Sequence, residues 1–152
     1  MKKILITGGS GFIGTNLIEH LLKKTDAELL TFDINEPKID SHNRFWKRVD
    51  IREYEELREK IVEYKPDIVI HLAARTDLRG LTLKDYDANM TGVSNLLKAI
   101  DEAGTVQKAV FASSMYVCEP GYMPKDFEDY APHTLYGESK VETERRIKKA
   151  NP

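Results

Sequence analysis

The segment Lys3-Ile-Leu-Ile-Thr-Gly-Gly-Ser-Gly-Phe-Ile-Gly14 constrains this chain more than any other. A short apolar run ends in glycines spaced as Gly9-x-Gly11-x-x-Gly14 and also as Gly8-x-x-Gly11-x-x-Gly14, and a helical stripe of Ile13, Leu17, Ile18, Leu21 and Leu22 follows at once. A strand that turns through glycines into a helix opens a dinucleotide-binding α/β unit. Glycine lets the backbone turn tightly and approach a pyrophosphate, and the helix start directs free N–H groups at it. Asp33 stands nineteen residues past Gly14, at the end of the next expected strand, Glu28 to Asp33. A carboxylate there accepts from ribose hydroxyls and repels a 2′-phosphate, so the expected cofactor is NAD rather than NADP, held by Gly8, Gly11, Gly14 and Asp33. Arg44 or Arg48 would soften that preference by folding near the ribose.

The rest of the chain keeps alternating apolar runs with helical periodicity, the pattern of a parallel sheet wrapped by crossover helices. Strands are expected at Lys3 to Thr7, Glu28 to Asp33, Phe45 to Val49, Asp67 to His71 and Val106 to Ser113. Asp67-Ile-Val-Ile-His71 carries a continuous apolar run, as a strand buried on both faces requires. Tyr54, Leu57, Ile61 and Tyr64 mark a helix closed by Pro66; a longer helix runs from about Lys84 to Ala103, with Gly104 as its left-handed stop. Pro120, Gly121, Pro124 and Pro132 make Glu119 to His133 an irregular loop, and the last helix spans about Thr134 to Lys149.

At 152 residues the chain is the size of one domain. With 23 Lys+Arg against 25 Asp+Glu, its net charge of −2 provides no global positive field to gather nucleic acid or an anionic membrane. No apolar run approaches the length of a membrane span, and the lone Cys118 has no intrachain disulfide partner and sits in no metal or cysteine-nucleophile pattern. A soluble, reducing, cytoplasmic setting is expected, with no metal.

Tyr136-Gly-Glu-Ser-Lys140 adds a second kind of chemistry. Four residues on a helix bring the lysine ammonium to the same face as the phenol. A free phenol ionises near ~10, too high for a base at neutral pH, and a neighbouring cation favours the phenolate. Tyr136 and Lys140 are therefore a candidate acid/base pair.

Together these segments resemble the N-terminal part of an extended short-chain dehydrogenase/reductase of the NAD-dependent epimerase/dehydratase family, which acts on nucleotide sugars. The resemblance is carried by Thr7-Gly-Gly-Ser-Gly-Phe-Ile-Gly14, Asp50-Ile51, His71-Leu-Ala-Ala74, Asn89-x-x-Gly92, Ser113-Ser114 and Tyr136-x-x-x-Lys140, in order and from end to end. It implies a Rossmann-like sheet of order 3-2-1-4-5 with helices on both faces. It also implies that Phe12 and Ile13 sit over the pyrophosphate, Asp50 and Ile51 meet the adenine, Leu72, Ala73 and Ala74 line the centre of the cofactor, and Asn89 lies beside the nicotinamide. Without the resemblance, Asp50 reads as a helix cap and His71 as a structural residue at a strand end.

Ser114, twenty-two residues before Tyr136, aligns with the family's catalytic serine or threonine, with Ser113 as its adjacent rival. Tyr136 would take a sugar hydroxyl proton while NAD takes the hydride. Dehydratases of the family resemble Ser-Thr-Asp-Glu-Val here; Met115 and Tyr116 replace the acidic pair, which leaves epimerase, reductase or decarboxylase chemistry. Cys118-Glu119 stands where Tyr-Gly is usual. Family members continue past Lys140 with two further strands and a substrate domain, so the chain is expected to be truncated before them. An NAD-binding module without turnover is the alternative. A homodimer through the two last helices is implied by the resemblance, and self-association through an exposed fifth strand is expected on physical grounds.

Overall fold

A computed structural model describes residues 1–150. Strand β1 (Lys3–Thr7) lies at the centre of a five-stranded parallel sheet of order β3-β2-β1-β4-β5, with β2 at Glu28–Asp33, β3 at Trp46–Arg48, β4 at Ile68–His71 and β5 at Lys108–Phe111. The expected order and helical layers are observed. Alternation along β1 explains the layering: Leu5 enters one core with Phe32, Val69, Leu57, Ile61 and Leu96, while Ile4 and Ile6 enter the other with Ile18 and Leu29. Helices α2 (Tyr54–Tyr64) and α3 (Asp87–Ala103) cover the first face and α1 (Phe12–Lys24) the second; α4 (Leu135–Ala150) packs on α3.

Several elements are shorter than the sequence patterns predict. β5 ends at Phe111 because β4 offers four register partners, from Ile68↔Lys108 to His71↔Phe111. The residues before Asp87 form a 3-10 turn, Leu83–Tyr86, because Asp85 folds back on the amides of Leu81 and Thr82 at 2.9 Å each. Gly104 stops α3 at φ +63°, as expected, whereas α2 ends on a left-handed Lys65 at φ +56° ahead of Pro66.

The 119–133 stretch is irregular but fastened at its base. Cys118 bridges Ala131, with Glu119 N donating to Ala131 O at 2.7 Å and Ala131 N to Val117 O at 3.1 Å. In the sheet, β5 is an edge strand among the described residues. Val110 is 45 % exposed there, and Ile68 and Ile70 of β4 are half-buried against the core beneath α1.

Candidate functional site

The C-terminal ends of strands β1, β2, β4 and β5 open into one cleft of about 1150 Å³, the expected position for a ligand in a doubly wound sheet. The cleft gathers Gly8, Gly11, Phe12, Ile13, Gly14, Asp33, Asp50, Ile51, Leu72, Ala73, Ala74, Tyr136 and Lys140. Two of the expected site residues, Asn89 and Ser114, are not in its wall.

The glycine turn is set by backbone crowding. Gly8 adopts φ +76°, and a Cβ on it would stand 2.5 Å from Ala73 N. A Cβ on Gly14 would collide with the Gly8 carbonyl oxygen and lie 2.7 Å from Gly9 Cα. The first turn of α1 begins at Gly11 with no side-chain cap, which leaves its amides unclaimed by any capping side chain. Phe12 and Ile13 on that turn are 80 % and 61 % exposed, an unusual setting for large apolar residues. Asp33 is fixed against the turn: Ser10 N donates to its Oδ2 and Asn35 N to its Oδ1, each at 3.0 Å, and Ser10 Oγ donates to Asn35 O at 2.8 Å. Ser10, Asn35 and Lys38 also line the cleft near Asp33. Sequence reasoning missed these three, although Ser10 lies inside the glycine motif. Arg44 instead stacks over Phe45 at 4.4 Å.

Asp50 accepts the backbone amide of Arg52 at its Oδ1, 3.0 Å away, in the turn before α2. The Arg52 guanidinium grips it as well, Nε reaching Oδ1 at 3.0 Å and Oδ2 at 3.1 Å and Nη2 reaching Oδ2 at 2.5 Å, and holds the Asp50 carboxyl below its ordinary range against the opposing effect of burial. Arg52 is therefore a cleft residue that sequence reasoning did not single out. Ile51 is pressed by α3: a Cβ on Gly92 would stand 2.5 Å from Ile51 Cδ1, so glycine at that position lets the helix approach.

Asn89 is 1 % exposed and fully engaged. Its Oδ1 accepts from Arg75 N at 2.8 Å, and its Nδ2 donates to Arg75 O at 3.0 Å and Ser139 Oγ at 2.9 Å. It clasps the strand-to-loop backbone just past Ala74 to α4, which places it behind the cleft wall.

Tyr136 and Lys140 lie one helical turn apart on α4, both buried. Tyr136 is walled by the rings of Tyr86 at 6.1 Å and Tyr116 at 5.7 Å. Lys140 is 4 % exposed and donates from Nζ to Ala112 O at 2.6 Å. Burial lowers its pKa, and the nearby Glu144 works against that shift. His71, beneath it, shares a 2.6 Å hydrogen bond between Nδ1 and Thr7 Oγ1, and burial, with a smaller contribution from the Lys140 charge, pushes its pKa down to about 3. It is a neutral residue at the strand end. Of the two serines, Ser113 lines the cleft but donates its hydroxyl to Glu144 Oε1. Ser114 Oγ accepts from Tyr116 N at 3.2 Å as the cap of the 3-10 turn Met115–Val117.

This arrangement fits a dinucleotide: a tight turn with unclaimed amides, a carboxylate beyond it and an apolar floor. No helix of the described residues is long and apolar enough to cross a membrane. The sequence model of the NAD dependent epimerase/dehydratase family matches residues 4–152. The chain is 35 % identical, over its whole length, to a UDP-glucose 4-epimerase of Neisseria meningitidis serogroup C, of which it spans 50 %. Its fold matches the UDP-Glc/GlcNAc 4-epimerase of Campylobacter jejuni at a TM-score of 0.86 and 25 % identity, covering 99 % of this chain and 49 % of that one. The UDP-glucose 4-epimerase of Thermus thermophilus, solved with NAD, matches at 0.79 and 28 % identity, covering 97 % and 50 %. The chain thus spans about half the length of the relatives it matches, and it belongs to the NAD dependent epimerase/dehydratase family.

Proposed function

We propose that this chain is an NAD-dependent nucleotide-sugar epimerase-type oxidoreductase domain that binds the cofactor and transfers the proton. The observation that carries the reading is the single cleft that holds the glycine turn and Asp33 at one end and Tyr136 and Lys140 at the other. Gly8 and Gly14 keep the turn close, the first-turn amides of α1 would hold the pyrophosphate, and Asp33 retains acceptor capacity for ribose hydroxyls beyond its two amide bonds. Bound NAD supplies the acceptor and later the donor of a hydride.

In this reading Tyr136 takes the proton of a sugar hydroxyl and afterwards returns one, while Lys140 holds positive charge beside the phenol. Ser114 is assigned as partner of the reacting oxygen from its place twenty-two residues before Tyr136 and from a hydroxyl hydrogen given to no described residue, although it is Ser113, with its own hydrogen given to Glu144, that lines the cleft. The nucleotide-sugar enzymes among the relatives support a uridine- or thymidine-linked hexose as substrate class.

A second reading is favoured by the share of the relatives that the chain spans: a module that binds NAD without turnover. Calorimetric titration with NAD, with Asp33→Ala as control, tests the common premise; no binding at millimolar NAD defeats both readings. Turnover of UDP- or dTDP-hexose that disappears in Tyr136→Phe supports the enzyme, and NAD binding without turnover supports the module.

A further inference from the structure

Glu144 follows Lys140 by four residues and so continues the stripe of α4 that carries Tyr136 and Lys140. Its carboxylate joins two separate parts of the fold. Ser113 Oγ, past the end of β5, donates to Oε1, and Tyr130 Oη, in the loop before α4, donates to Oε2 at 2.8 Å. Tyr130 is held in turn by Lys148, whose Nζ donates to Tyr130 Oη at 2.9 Å and to Phe127 O at 2.7 Å. The guanidinium of Arg145 stands 5.7 Å from the centre of the same ring. A continuous hydrogen-bonded line therefore runs from the cleft wall through Glu144 into the 119–131 loop.

Lys140 is faced by the Ala112 carbonyl past β5, by His71 from β4, and by Tyr136 and Glu144 from its own helix. His71 is neutral at ordinary pH, so Glu144 is the counter-charge that acts on the buried ammonium.

We propose that Glu144 is a positioning residue: it commits the Ser113 hydroxyl, fastens the 119–131 loop to the helix of Tyr136 and Lys140, and supplies the counter-charge of Lys140. The mechanistic meaning rests on the role given to Lys140 above, but the tether and the charge are measurable without turnover. In Glu144→Gln the lysine side-chain NMR titration of Lys140 moves to lower pH, its proton affinity reduced on the order of fivefold. Amides of the loop then exchange about tenfold faster. Glu144→Asp keeps the charge and leaves the Lys140 titration within about twofold of the parent. Tyr130→Phe frees the loop without moving that titration, and these two variants carry the test should Glu144→Gln fail to fold. A parental Lys140 titration in Glu144→Gln overturns the proposal, as does parental loop exchange in both Glu144→Gln and Tyr130→Phe. Failure to bind NAD would defeat the proposed function and leave these readouts intact.

Discussion

Lys140 gives its ammonium to the carbonyl of Ala112, 2.6 Å away, so the catalytic candidate is also the clamp between α4 and the end of β5. Burying a charge costs free energy that one strong hydrogen bond only partly offsets. Lys140→Met removes the burial cost and the bond together. The expected change in stability is within about 1 kcal/mol, while any nucleotide-sugar turnover under the proposed function falls at least ~100-fold. Thermal unfolding and steady-state assays of the same preparations check the pair of outcomes.

Asp33 sits where the dinucleotide reading needs a carboxylate, and its replacement separates cofactor choice from folding. Asp33→Ala is expected to weaken NAD binding about tenfold, through lost charge-assisted hydrogen bonds, and to narrow the preference over NADP. Calorimetry with both dinucleotides measures this; an unchanged ratio of affinities counts against the assignment.

At Gly8 the backbone leaves no room for a side chain. With φ at +76° and Ala73 N at 2.5 Å from an added Cβ, Gly8→Ala forces β1 and β4 apart at their ends. A loss of about 2–3 kcal/mol is expected, read from urea unfolding, with NAD binding lost beyond detection.

His71 makes stability depend on pH. Its pKa is about 3 in the folded chain, against an ordinary value of 6.5, so between those values the unfolded chain binds one more proton. Stability is complete above the upper value and falls as pH drops through the window, by about 1.4 kcal/mol per pH unit from this residue. Urea unfolding at about pH 7, 6 and 5, above most carboxylate titrations, should show that slope, and His71→Gln should flatten it.

The exposed β5 edge, with Val110 45 % accessible, invites pairing with another chain. Sedimentation of these 152 residues is expected to show concentration-dependent association that Val110→Lys weakens about tenfold or more. A parent chain that stays monomeric and unfolds in one sharp transition at high concentration would defeat this expectation.

Much of the fold could be read from local pattern. Leu5 and Ile6 alternate between two cores, Ile68-Val69-Ile70 is an apolar strand core, though Ile68 and Ile70 are only half-buried, and glycines sit where β1 meets α1; each is a short-range signal with a direct steric or burial cause. The end of β5 was not legible, because strand length is fixed by the four residues of β4 beside it. Side-chain partnerships in the site were equally hidden. Nothing local to Lys140 points to Ala112, and nothing near Asn89 announces that both ends of its amide are spent on Arg75. Arg52, only two residues from Asp50, was within reach of sequence reasoning, since an arginine so close to a carboxylate needs no long-range fold to find it.

The bridge between Cys118 and Ala131 has a consequence for variation. Because the two strands of chain entering and leaving the excursion are already joined at its neck, and Tyr130 beside that neck is held on Glu144, the start of α4 is located without help from the residues at the tip. Doubling the length of such a closed excursion costs only about 0.6 kcal/mol in closure entropy. The stretch 120–126 can therefore be rewritten, lengthened or exchanged while Tyr136 and Lys140 keep their address, provided the neck and the Tyr130 tether to Glu144 are preserved.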